Sequence, residues 1–519
     1  MMSAASALSV RNESVAWRLL VGLALAKLTV HLLSSVGFAY GYMGDELYYV
    51  DCANHLDWGY VDHPPFSIAA LWVMRAVLGD SLVALRLLPA VAGGATIVLV
   101  GLMARELGGG RVAQGLAGLA ALVSPVYLAV GGFYSMNALE PPIWALCAYL
   151  LLRILNDGSH YHWLVLGVVL GIGLLNKISS LWFGLGLLVG LLLTPQRRWL
   201  KTPWPWLAAA IAIVLFAPHV LWQVRHGWPT LEFMRNATEH KMTAKSPLTY
   251  LGEQVLIMHP LALPLWLAGL GYYFVARRAT AYRVLGWIWV TVFLLLVASG
   301  SARSNYMGPA YVVLLPAGGL VVERLASARS WKVLPSAVAG VLALGGAATA
   351  PMAIDLLPPV QYVAYERAIG LSAPTDQIDA LGAMPLHFAL RFGWREYTQT
   401  VAAVYATLSA DERARAGILV ETFGEAGALN FFGRVAGLPP AVGIHNNYWL
   451  WGPDGYSGEV MLVVTDASSP LLEIFGHVER AAPIRCDYCL PELTTKSVYI
   501  CRHPSRPLPD LWAELRRYV

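Results

Sequence analysis

Between Trp17 and Ile354 the chain is a succession of apolar runs broken by short polar turns, and no other feature limits its fold as strongly. Backbone in lipid finds no water to bond, so each run must close its own hydrogen bonds, and repeated runs of this length require a bundle of membrane-spanning helices. They lie at 17–36, 82–103, 113–132, 137–155, 162–176, 178–193, 204–222, 255–276, 284–300, 306–323 and 333–354. This reads as a polytopic α-helical membrane protein of about 11 to 13 transmembrane helices, the upper count including short or interfacial stretches such as Phe66 to Leu78. With 57% hydrophobic and 13% charged residues, an ordinary soluble protein is excluded. The first run has no convincing small-residue cleavage site before its polar end and reads as a retained helix.

Basic residues set the register. If Arg11 and Arg18 are cytoplasmic, alternation puts Arg105 and Arg111, Arg153, Gln196 to Arg198 with Lys201, Arg277, Arg278 and Arg283, and Arg324, Arg329 and Lys332 on that same face. The first loop (37–81), the Gln223 to Gln254 loop and the tail then share the opposite, extracytoplasmic face. The net charge of +4 is scattered rather than clustered, so no nucleic-acid surface is indicated.

Composition divides the chain into a transmembrane part, 1–355, and an extracytoplasmic soluble α/β domain, 356–519. The segments GILVETF, VMLVVTD and SVYICR read as strands, EAGALNFFGRV and PLLEIFGHV as short helices. Cys486, Cys489 and Cys501 lie in this tail, where one disulfide among them or a metal site completed by His503 are the readings.

The polar residues of the outer face are the candidates for chemistry. Asp45 and Glu46 are adjacent, and a single carboxylate at the centre of a membrane helix costs roughly 3 kcal/mol, so the pair belongs to a loop or an interfacial helix. Asp51, Asp57, Asp62 and His63 follow in the same loop; Asn137 and Glu140, Asn176 and Lys177, His259, and Arg303, Asn305 and Tyr306 come from later turns. Each has a plainer reading. Glu140 precedes two prolines and reads also as a helix-start carboxylate; Lys177 and Arg303 as groups reaching lipid headgroups; His259 as a structural hydrogen-bonding residue; Tyr48, Tyr49 and their aromatic neighbours as an interfacial belt.

The pair Asp45-Glu46 followed by Tyr48-Tyr49, then Asp62-His63-Pro64-Pro65, FYSMNALEPP and LLNKIS, resembles the multi-spanning GT-C glycosyltransferases related to protein O-mannosyltransferases and the lipid A aminoarabinose transferase. The resemblance implies Asp45 as catalytic base with Glu46 beside it. A Glu-Lys-Pro-Pro motif of the aminoarabinose branch is replaced here by Asp62 to Pro65, and Tyr48 stands where that branch has arginine. His63 replaces its lysine, so a donor phosphate must find Lys177 or Arg303. Tyr48, Tyr49, His63, Asn137, Lys177, Arg303 and Tyr306 become candidate substrate contacts; Asp62, Glu140 and His259 become candidate ligands of a divalent Mg, Mn or Zn ion.

By the same resemblance the chain is expected to be a bacterial-type inner-membrane enzyme that takes a sugar from a polyprenyl-phosphate donor to an envelope acceptor such as lipid A, a glycan or a protein, with inversion. No nucleotide-sugar fingerprint is present, in keeping with a lipid-carried donor. Two other classes share some of these features: a lipid or solute transporter, whose charges should sit on broken helices near the midplane, and a non-catalytic envelope factor whose tail binds glycan.

Overall fold

The computed structural model describes residues 13–38, 40–370 and 382–519; Arg11 of the basic set lies outside them. The chain forms two compact units. One gathers the chain up to Gly37 with Arg86–Trp222 and Thr243–Leu356; the other gathers Phe38–Leu85, Gln223–Met242 and Leu357–Val519. The second unit is therefore assembled from the three segments that charge alternation puts on one face.

Every apolar run becomes helical. Among the described residues seven helices are long and apolar enough to cross a membrane: Trp17–Gly37, Leu82–Glu106, Met136–Asp157, Trp204–Arg225, Arg277–Ser299, Ser304–Ala328 and Leu334–Met352. Two bent pairs bring the number to nine: Arg111–Val123 with Pro125–Gly131, at 61°, and Pro247–Ile257 with Pro260–Val275, at 94°. Tyr161–Asn176, Ser180–Leu192 and Phe66–Leu78 are shorter apolar helices. The runs 113–132 and 255–276, read from the sequence as continuous, are thus broken. Both breaks fall before a proline, where the ring disfavours helical backbone for the preceding residue: Ser124 is extended and His259 has φ +77°. Beside the first break a buried lysine, Lys27, donates from Nζ to Tyr127 O at 2.9 Å.

The membrane unit packs by close approach of small residues, as helices in lipid do. Helices Leu263–Val275 and Leu314–Ala328 cross at Gly269 and Gly318, where any added Cβ would collide with the facing backbone. Trp144, Trp266, Trp289 and Tyr311 fill the core. The turns that carry the basic residues bond to one another. Glu323 accepts from Gly110 N–H, Asn156 donates to Glu106 and accepts from Tyr282 O–H, and Gln196 donates to Ala281 O. These turns therefore lie beside one another.

In the second unit the tail builds a five-stranded sheet of order β2-β1-β3-β5-β4, with β1 Ala416–Val420, β2 Ala441–Gly443, β3 Val460–Thr465, β4 Phe475–Pro483 and β5 Ser497–Pro504. β1 is parallel to β2 and β3, while β5 runs antiparallel to β3 and β4. The apolar strands β1 and β3 are central and fully buried. PLLEIFGHV is not a helix: after a 3-10 turn at Pro470–Leu472 the chain extends into β4, where Phe475 to Val478 pair with β5 as the sheet's edge. Cys486 and Cys489 form a disulfide, and Cys501 is a buried thiol in β5. That pairing removes the three-cysteine metal site.

Candidate functional site

In the second unit the acidic loop is held as a helix, Gly44–Asn54, lying on helix Phe423–Phe432 of the tail. Glycines permit the approach: a Cβ on Gly427 would stand 2.9 Å from Leu47 C, and one on Gly44 would meet Trp394 at the same distance. Gly44 N–H donates to Leu390 O, which also accepts from the Trp394 indole. Asp45 and Glu46 occupy the first turn, where the helix dipole favours carboxylates. Asp45 is half-buried. Glu46 is fully buried and its Oε2 accepts from Met43 N–H at 2.9 Å, a capping bond at the helix start.

The next turns bind the loop to the sheet domain. Asp51 Oδ2 accepts from Tyr448 O–H at 2.6 Å and from Asn430 Nδ2 at 2.7 Å, so this carboxylate is consumed by structure. Tyr48 is stacked on Phe423 and its hydroxyl donates to Asp62 Oδ1 at 2.8 Å. Burial, then the Asp62 charge, push the Tyr48 phenol well above its ordinary pKa, so it remains a donor. His63 sits buried between the rings of Tyr49 and Tyr60. Its Nδ1–H donates to Pro64 O at 3.2 Å, while Nε2 lies 3.8 Å from Asp62 and 4.0 Å from Cys52 Sγ. Burial lowers its pKa against the pull of Asp62, which leaves a neutral ring in place of a cation. As a phosphate contact His63 is unsuited, because it is neutral and covered; Tyr48 and Tyr49 are packing and orienting groups.

In the membrane unit, Glu140 and Lys177 are an ion pair. Lys177 Nζ donates to Glu140 Oε2 at 2.8 Å, the Ser179 hydroxyl donates to Oε1, and the ammonium stands 4.7 Å from the centre of the Tyr306 ring. Glu140 lies in the second turn of helix Met136–Asp157 and its carboxylate is engaged by these side chains, so capping does not describe it. Asn137 and Asn305 line a crevice with Glu140, Tyr127 and Gly308, the Tyr127 hydroxyl donating to Gly308 O at 2.8 Å. Arg303 begins the 3-10 helix Ser304–Val313, and its carbonyl accepts from Tyr306 N–H. Lys245 and Glu253, 2.7 Å apart, hold the Ser304 hydroxyl beside them. His259 caps the second broken helix: its Nδ1 accepts from Leu261 N–H at 3.1 Å.

The expected metal ligands do not fit a metal centre. Glu140 is engaged by Lys177 and Ser179, His259 at Nδ1 only, and among the described residues no three His, Cys, Asp or Glu side chains group around a common point. Sequence reading missed Ser179, Lys245, Glu253 and the tail residue Asn447. The signals were slight: a serine two residues after Lys177, and an Asn-Asn pair closing the apolar stretch Ala441 to Ile444.

The profile of the family described as dolichyl-phosphate-mannose-protein mannosyltransferase matches residues 62–222, a stretch that starts at Asp62 and takes in Glu140 and Lys177. No curated protein sequence matches the chain. Among solved structures, ArnT from Cupriavidus metallidurans bound to undecaprenyl phosphate superposes with a TM-score of 0.63 at 17% identity, over 94% of this chain and 98% of that one. The same protein in the apo state gives 0.61 at 17% identity, over 93% and 97%. An oligosaccharyltransferase from Archaeoglobus fulgidus, tethered to an acceptor peptide, gives 0.50 at 13% identity, over 80% and 64%.

Proposed function

We propose, from the GT-C glycosyltransferase fold that this chain carries, that it transfers a sugar from a polyprenyl phosphate to a hydroxyl of an envelope acceptor on the extracytoplasmic face of a bacterial inner membrane. The observation that carries this reading is end-to-end agreement with a structure that binds undecaprenyl phosphate, joined to a mannosyltransferase family match across the segment holding Glu140 and Lys177.

The reaction is a single displacement with inversion. The acceptor oxygen forms its bond to the anomeric carbon as the bond from that carbon to the phosphate oxygen breaks, and polyprenyl phosphate leaves with the electron pair. Asp45 takes the acceptor proton. It stands in a first helical turn, where the dipole favours a carboxylate. Arg303 and Lys177 are the cations offered to the departing phosphate. The Lys177, Glu140 and Tyr306 cluster orients the turn that follows Arg303.

Two broken helices and the buried Lys27 are features a transporter would share. Purified protein given a radiolabelled polyprenyl-phosphate sugar and envelope lipid acceptors separates the readings. Release of polyprenyl phosphate in step with labelled acceptor is the expected result; movement of intact donor across vesicles without release would replace transfer by transport.

A further inference from the structure

We infer that Asn447, in the α/β domain, is a positioning residue for the Asp62 carboxylate and acts on it through the Tyr48 phenol; the inference rests on the glycosyl-transfer reading and adds to it that the partly exposed Asp62 meets the substrate.

Asn447 opens the short helix Asn447–Trp451 and is fully buried. Its amide grips Asp62 from two sides. Oδ1 accepts from the N–H of Val61, the preceding residue, at 2.9 Å; Nδ2 donates to Tyr48 Oη at 2.5 Å, and Tyr48 passes its own O–H to Asp62 Oδ1 at 2.8 Å. Only a group that donates at one atom and accepts at the other can hold both arms. With Nδ2–H occupying a lone pair of Tyr48, the phenolic proton has Asp62 as its acceptor, so the amide fixes the direction of the chain. Asp62 differs from the buried Asp51 in keeping some exposure, with a side chain 16% accessible. Among the described residues none hydrogen-bonds its Oδ2, which stays available to a sugar hydroxyl. The α/β domain thus sets the geometry of an acidic group that lies far earlier in the chain than Asn447.

Asn447→Asp tests this with little change of shape. The new carboxylate still accepts from Val61 N–H, but it now also accepts the Tyr48 proton and draws it away from Asp62. Turnover (kcat) should fall about 10- to 100-fold with a smaller change in KM. Tyr48→Phe, which keeps the ring on Phe423, should fall equally, and the double variant should fall no further. Hydrogen–deuterium exchange over residues 58–64 reads the clamp independently of catalysis: protection of the Val61 amide should persist in Asn447→Asp and be lost in Asn447→Ala. Wild-type kcat in Asn447→Asp or in Tyr48→Phe overturns the inference, as does unchanged exchange at Val61 in Asn447→Ala. If wild-type protein releases no polyprenyl phosphate from any donor, the transfer reading fails, while the exchange measurement still decides the clamp.

Discussion

Lys177 and Glu140 meet at 2.8 Å in the interior of the membrane unit, each almost wholly removed from solvent, with Ser179 completing the carboxylate's shell. Such a pair is costly to break from one side, because the partner left behind is an uncompensated buried charge; the loss is about 3 to 5 kcal/mol. Lys177→Ala and Glu140→Ala should each lower thermal stability by that order, and Lys177→Met with Glu140→Gln together should recover most of it. Added divalent cation should not restore activity to Glu140→Gln, since the carboxylate's work is to hold Lys177. Rescue by Mg, Mn or Zn in the transfer assay would return Glu140 to the ligands of a metal.

The crossing of helix Gly44–Asn54 over helix Phe423–Phe432 depends on Gly427, where a Cβ would press on Leu47 and Tyr48 backbone. Gly427→Ala should therefore cost about 1 to 3 kcal/mol, and Gly427→Val more, by forcing these helices apart. Proteolysis of the first loop should accelerate in step. Unchanged melting and cleavage in Gly427→Val would mean that the two helices do not rest on each other in solution.

Acid should loosen the α/β domain through His445. Its Nδ1 accepts from Phe423 N–H at 3.3 Å and its Nε2–H donates to Val519 O at 2.7 Å, an arrangement only the neutral ring satisfies. Burial, helped by the charge of Lys241, lowers its pKa from 6.5 to about 3. A depressed histidine binds its proton in the unfolded chain first. Its stabilising contribution is whole above pH 6.5 and declines toward pH 3, by at most about 1.4 kcal/mol for each pH unit. Melting of purified protein across this window should drop with pH, less steeply in His445→Gln. Equal slopes for the two proteins would remove His445 as the titrating group.

Much of this architecture is written in local pattern. Apolar runs near the length of a bilayer gave the spans because lipid leaves backbone no alternative, and the buried strands β1 and β3 announced themselves as short apolar runs. The breaks at Ser124 and His259 escaped that reading, since hydropathy averages over a proline whose effect is conformational. The site was legible in residue type but not in role. Asp45 and Glu46 are adjacent in sequence, yet the helix start turns Glu46 inward to cap Met43. Lys177 reads as an available cation until Glu140, from another helix, is brought against it. Asn447 carries little local signal beyond its place in an Asn-Asn pair: its work depends on Tyr48 and Val61, whose proximity only the fold creates.

The most direct test of the catalytic reading sets Asp45 against its neighbour. Asp45→Asn keeps shape and hydrogen-bonding capacity in the first turn of helix Gly44–Asn54 but cannot take a proton from an acceptor hydroxyl near neutral pH. Loss of a general base costs about 10²- to 10⁴-fold in the chemical step, so single-turnover transfer with saturating donor should fall by that order while donor binding and melting stay close to wild type. Glu46→Gln should behave in the opposite sense. Its carboxylate caps the helix at Met43 N–H, and a neutral amide weakens that bond and the dipole interaction, at a cost of about 1 kcal/mol in stability. Turnover per folded molecule should drop only modestly, because the cap acts through the placement of the turn that carries Asp45. Arg303→Ala supplies the third comparison. It removes a charge-assisted contact to phosphate of about 1.5 to 3 kcal/mol, and so should weaken donor use while leaving the proton transfer intact. Full single-turnover activity in well-folded Asp45→Asn would take the base away from Asp45, and a deep loss in Glu46→Gln at unchanged melting temperature would move it to Glu46.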